Sequence, residues 1–175
     1  MRKIHYLCLL VFLLVVGTAN YANAQAPKAL VFGNFTIVSP QGTDFTKNFA
    51  NGSGFEIGGG IGIGKTMIIG SAGYINYLAS TTTTTYGDLN VIPIKVGFRR
   101  YLVGKLFVNG QIGTAIESYS KVNTSGSKFL YEVGAGVKII HLIEVGAAYT
   151  SYQSATTPTI SYNTLLFKVG FSVKF

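Results

Sequence analysis

The stretch that decides the fold is Thr164-Leu165-Leu166-Phe167-Lys168-Val169-Gly170-Phe171-Ser172-Val173-Lys174-Phe175. Leu165, Phe167, Val169, Phe171, Val173 and Phe175 fall on one side of an extended chain. Thr164, Lys168, Gly170, Ser172 and Lys174 fall on the other, because successive side chains of a strand point to opposite faces. The same alternation recurs upstream. Ile92, Ile94, Val96 and Phe98 oppose Lys95, Gly97, Arg99 and Tyr101. Leu106, Val108, Ile112 and Ile116 oppose Asn109, Gln111 and Glu117. Phe129, Tyr131, Val133, Ala135 and Val137 oppose Glu132, Gly134, Gly136 and Lys138. Ile143, Val145 and Tyr149 oppose Glu144 and Gly146, and Phe55, Ile57, Ile61 and Ile63 oppose Glu56, Gly58, Gly60 and Gly62. The faces of the segment 67–78 cannot be told apart.

Working outward from these segments, the pattern predicts eight strands at about 29–38, 54–63, 67–78, 89–102, 106–119, 128–139, 143–152 and 162–175. The connections are of two kinds. Gly64-Lys65-Thr66, Val103-Gly104-Lys105 and Ile140-His141-Leu142 are tight. Ser39 to Ser53, Ala79 to Asp88 with its Thr81–Thr85 run, Ser120 to Ser127 and Gln153 to Ser161 are long and polar. Long and short alternate strictly, so both ends of the strand array fall on the tight-turn side. An even set of roughly ten-residue alternating strands with that parity is the signature of an antiparallel transmembrane barrel. Within the first long connection, 43–50 has the makings of a helical turn with Phe45 and Phe49 on one side; an irregular loop is the alternative.

Composition agrees. Only 11% of the 175 residues are charged, against 48% hydrophobic, with 22 Gly, 11 Tyr, 12 Phe and no Trp. A soluble domain carries about 25% charged residues, so much of this surface faces something other than water. The N-terminus reads as a secretory leader over residues 1–24: Arg2 and Lys3, then the apolar run Leu7 to Val16, then Ala22-Asn23-Ala24. That run is short of the ~20 apolar residues of a spanning helix. The barrel domain is then 25–175. The single Cys, Cys8, lies within the leader, which leaves no disulfide to form. Removing Arg2 and Lys3 from 14 basic residues leaves 12 against six acidic, a net charge of +6. These cations are scattered rather than clustered, which speaks against nucleic-acid binding.

The charges also decide which face points inward. Glu56, Glu117, Glu132 and Glu144 lie on the polar face, with Lys95, Arg99, Lys138, Lys168, Lys174 and many Gly. An eight-stranded barrel has an interior just wide enough for side chains. Crowding there favours Gly, and low dielectric requires each charge to meet an opposite one. The polar face is therefore the lumen, filled by a charge network, and the apolar face meets lipid. Lys138 and Glu144, equally far from His141, become cross-strand neighbours in a hairpin.

These segments resemble a known group. Val91-Ile92-Pro93-Ile94-Lys95-Val96-Gly97-Phe98-Arg99-Arg100-Tyr101-Leu102, Phe107-Val108-Asn109-Gly110-Gln111-Ile112-Gly113 and the terminal 167–175 are similar to the small outer-membrane barrel proteins of the OmpA/OmpX type, in the single-domain "outer membrane beta-barrel" family. The resemblance implies an up-and-down barrel in a bacterial outer membrane. It also implies that Phe175 is an assembly signal read by the barrel-assembly machinery.

Catalysis has little to draw on. Gly59 to Thr66 matches the P-loop pattern literally, yet the pattern needs a following helix, and 67–77 reads as a strand. His141 is the one His after the leader and reads as a solvated turn residue. No metal-ligand cluster or cofactor motif is evident. The expected function is a non-enzymatic, monomeric outer-membrane barrel surrounded by membrane lipids, acting in envelope structure or through its four outer connections; their partner is left open. Three rivals stand beside it: a narrow pore, which inward Lys95, Glu117 and Glu132 would block; a lipid-modifying barrel enzyme; and a soluble periplasmic lipid binder.

Overall fold

The computed structural model describes residues 27–80, 87–103, 105–121, 125–153 and 161–175. The expected leader at 1–24, the Thr81–Thr85 run and Gly104 lie outside the described residues. Eight strands form: β1 (Pro27–Gln41), β2 (Phe49–Ile63), β3 (Thr66–Ala79), β4 (Leu89–Tyr101), β5 (Leu106–Tyr119), β6 (Ser125–Lys138), β7 (Ile143–Gln153) and β8 (Ser161–Lys174). Each pairs antiparallel with its neighbours in chain order, and β1 pairs with β8, which closes the barrel. Beyond Lys174, the N–H and carbonyl of Phe175 exchange hydrogen bonds with Ala29 and extend that seam.

The strands follow from the alternation. Leu30, Phe32, Asn34 and Thr36 turn inward on β1, while Val31, Phe35 and Ile37 turn outward. Outward Val, Ile and Phe side chains stay exposed all round the wall, and the buried set includes Glu56, Lys95, Arg99, Glu132 and Glu144. The wall is thus apolar outside and polar inside, as a barrel in lipid requires. Among the described residues no helix is long and apolar enough to cross a membrane. Strands of 11 to 15 residues do so instead, since about 9–11 tilted residues suffice.

β3 shows why its faces resisted reading. Met67, Ile69, Ile75 and Tyr77 point inward, and Ile68, Tyr74 and Leu78 outward. Both faces are apolar there because this strand lines the two ends of the lumen as well as its polar middle. Pro93, inward on β4, interrupts the β3–β4 ladder between the pairs Ala72–Ile94 and Ile75–Val91, since proline offers no N–H.

Two long connections are shorter than expected. The span 39–53 is not a loop: β1 runs to Gln41, a helix α1 (Thr43–Asn48) follows, and β2 begins at Phe49. Of the two alternatives for 43–50, the helical turn forms, over Thr43–Asn48, with Phe49 already extended. β6 likewise starts at Ser125, which trims the span 120–127. Among the tight turns, Gly64-Lys65 joins the partners Ile63 and Thr66. Gly64 has φ +64°, the left-handed value a two-residue hairpin wants at its first central position. The apparent P-loop is therefore a hairpin tip followed by a strand.

Candidate functional site in the barrel lumen

The middle of the lumen is crossed by a ring of four charges. Glu56 comes from β2, Lys95 from β4, Glu132 from β6 and Lys168 from β8. Lys95 Nζ lies 3.1 Å from Glu56 Oε2 and 2.6 Å from Glu132 Oε2. Lys168 Nζ lies 2.7 Å from Glu56 Oε2 and 2.6 Å from Glu132 Oε1. Each charge thus touches two of opposite sign, and the ring is neutral. Alternate strands supply a layer of four in eight-stranded barrels because inward residues of adjacent strands sit at staggered heights. Burying ions costs several kcal/mol each, an expense that only close, multiple pairing offsets. Thr150 donates a further hydrogen bond to Glu132 at 3.2 Å. Gln111 donates to Ser71 at 3.1 Å in the same region.

Toward the tight-turn end, Arg99 Nη1 lies 3.2 and 3.0 Å from the two oxygens of Glu144. Its guanidinium sits 4.2 Å from the Phe107 ring centre and 4.8 Å from that of Phe32. Flat cations favour aromatic faces in this way. Below it Leu30, Phe32, Met67 and Ile69 pack with Tyr101 into an apolar floor.

The other end is closed by aromatics. Phe45 of α1 and Phe49 at the start of β2 drop into the mouth among Tyr77, Tyr119, Tyr152 and Tyr162. The short helix works as a stopper because Phe45 on it and Phe49, extended just past its end, meet edge to face with ring centres 5.6 Å apart. Tyr77 and Thr164 hydroxyls are 3.0 Å apart and those of Tyr119 and Tyr162 are 3.4 Å apart, so these hydroxyls of the stopper are paired within the cluster.

The structure does not bring all the expected lumen charges together. Glu117, fully buried, stands apart from the ring and accepts a 3.2 Å hydrogen bond from the Tyr119 hydroxyl. Lys138 and Glu144 are cross-strand partners, as the hairpin symmetry predicts, but they form no ion pair. Glu144 engages Arg99, and Lys138 donates to the Ser172 carbonyl at 2.9 Å. Lys174 lies over the Tyr101 ring at 3.8 Å, at the lumen's edge. The aromatic stopper and the apolar floor escaped the sequence reading. A signal existed: Tyr119 shares the inward parity of Glu117, and Tyr162 that of Lys168.

Two small cavities flank the ring, about 20 Å³ on the Arg99 side and about 10 Å³ on the Tyr77 side. Each has space for about one water, and the ring lies between them. Among the described residues no three His, Cys, Asp or Glu side chains gather as metal ligands would. His141 is exposed in the β6–β7 turn.

A closed antiparallel eight-strand wall, apolar outside and ion-paired inside, defines a small outer-membrane β-barrel. The sequence profile of the "Outer membrane protein beta-barrel domain" family matches residues 8–175, and the chain belongs to that family. It is a protein of the bacterial outer membrane. Similar solved structures include Ail, the attachment invasion locus protein of Yersinia pestis, with 17% identity over 85% of this chain and 99% of that one, at a TM-score of 0.55. Neisserial surface protein A shows 13% identity over 85% and 97%, at 0.54. The N-terminal barrel domain of Pseudomonas aeruginosa OprF shows 14% over 83% and 96%, at 0.53. At these identities the likeness is one of fold. No curated protein matches the chain.

Proposed function

We propose that this protein is a closed, non-enzymatic, monomeric scaffold of the outer membrane, contributing to envelope structure or surface contact through its four outer connections. The observation that carries the reading is the ring of Glu56, Lys95, Glu132 and Lys168 across the lumen. A permeating ion would have to part contacts of 2.6 to 3.1 Å between buried charges. Phe45 and Phe49 add a second obstruction at the mouth. Neither obstruction carries a nucleophile beside a general base. Inward Lys95, Glu117 and Glu132 are thus structural groups in this reading, and Phe175 serves the barrel-assembly machinery during insertion.

The test is electrical. Purified barrel reconstituted in a planar bilayer should give no stable unitary step. A reproducible step from the unmodified protein would overturn the closed reading in favour of a narrow pore.

A further inference from the structure

Two features meet at the tight-turn rim. The first is a groove in the outer wall. One row of outward side chains runs across four strands: Val108, Ala135, Ala147 and Phe167, each the cross-strand partner of the next. The two alanines leave a trough between larger flanks, an open and almost wholly apolar groove of about 670 Å³. It is continuous with the lipid-facing surface. Ala135 lies three residues before the end of β6 at Lys138, roughly 10 Å along the strand.

The second feature is charge. Lys28, Lys65, Arg100, Lys105, Lys138 and Lys174 all lie in the tight turns or at strand ends beside them. Among the described residues no acidic side chain opens onto this rim. Glu144, the nearest, turns inward to Arg99. Two of the cations neighbour residues that line the groove, Val108 and Leu106. Arg100 is exposed on the outer wall and is the cross-strand partner of Val108. Lys105 precedes Leu106 at the groove's edge, and its Nζ reaches the Ile139 carbonyl at 2.7 Å. Exposed Val103, Ile139, Ile140 and Leu142 share these turns, so the rim itself mixes apolar and cationic groups, the character of a membrane interface.

We propose that this rim binds an anionic phospholipid, with an acyl chain along the Ala135–Ala147 trough and the headgroup phosphate between Arg100 and Lys105. A phosphate here meets a forked guanidinium and an ammonium. The tight-turn end of such barrels faces the periplasm, so the lipid comes from the inner leaflet. The proposal rests on the membrane placement and not on the closed lumen.

The test uses the full, folded barrel, its folding checked by heat-modifiable gel migration, with bound lipid counted by native mass spectrometry. Phosphatidylglycerol should be retained in preference to phosphatidylcholine. R100Q and K105Q should each lower that preference about fivefold, and R100K should keep most of it. K47Q, at the opposite end, should leave it unchanged. Ala147→Leu should lower retention of both lipids by filling the trough. Equal retention of the two lipids by the unmodified barrel would overturn the proposal. So would an unaltered preference in R100Q and K105Q, an equal loss in K47Q, unaltered retention in Ala147→Leu, or displacement of phosphatidylglycerol by an equal concentration of inorganic phosphate.

Discussion

Phe45 stacks on Tyr162, with ring centres 4.3 Å apart and planes 17° from parallel. The helix that carries Phe45 has only six residues, too few to be stable alone. It holds because Phe45 also contacts Phe49 and Tyr77, at 5.6 and 5.2 Å between centres. Phe45→Ala should therefore release α1 and cost roughly 3 to 5 kcal/mol, read from urea unfolding in detergent micelles. The ring of charges lies deeper, so this variant should remain non-conducting. A loss within experimental error would show that the stopper adds nothing to stability.

Glu132 is held between two ammonium groups and Thr150. Glu132→Gln leaves Lys95 and Lys168 sharing the single carboxylate of Glu56. The expected cost is about 3 to 5 kcal/mol, because one buried charge loses its counterpart. Removing Lys168 as well, in Glu132→Gln with Lys168→Gln, restores neutrality. The double variant should be more stable than the single one. Additive losses in a double-mutant cycle would contradict the ring.

Two glycines of opposite aspect test the crowding of the lumen. A Cβ at Gly113, on the inward face of β5, would run into the Ile94 carbonyl oxygen of β4. At Gly70, on the outer face of β3, the nearest atom would be 3.8 Å away. Gly113→Ala should destabilise by roughly 1 to 3 kcal/mol or more, while Gly70→Ala should be neutral or stabilising. Unfolding midpoints of the two variants decide the point.

Orientation can be read with engineered thiols. Thr43→Cys, on the exposed side of α1, should react with an impermeant maleimide in intact cells. Lys65→Cys, in the β2–β3 turn, should react only after the outer membrane is broken. The reverse pattern would invert the barrel.

Phe175 has 73% of its surface exposed, yet its backbone pairs with Ala29. Its ring therefore does little for the finished barrel. Phe175→Ala should lower the amount of barrel assembled in cells while leaving the unfolding midpoint of the purified protein unchanged. Normal assembly of this variant would remove the signal role.

Much of this architecture was legible. The strands from Leu89 to Tyr119 could be placed within a residue because Lys95, Arg99 and Glu117 interrupt apolar runs at every second position. β3 was opaque because Met67, Ile69 and Tyr77 serve the apolar ends of the lumen; a two-residue period of polarity vanishes when both faces are greasy. The ring was harder still. The inward parity of Glu56, Lys95, Glu132 and Lys168 was readable, but their common height depends on the stagger of strands around the closed wall. Local symmetry suggested Lys138 for Glu144, whereas Arg99 reaches Glu144 across the lumen. Hairpin reasoning sees neighbours along the sheet and not partners through the interior.

Among the described residues, the contacts that close the mouth come from α1 and from the strand ends around it. The closure therefore hangs on the connection between β1 and β2, which carries its own aromatic side chains into the lumen. The barrel is in this respect a bottle whose cork is part of its own neck. A foreign peptide grafted between Gln41 and Phe49 should pull the cork, whereas one grafted at the Gly64-Lys65 turn should leave it seated.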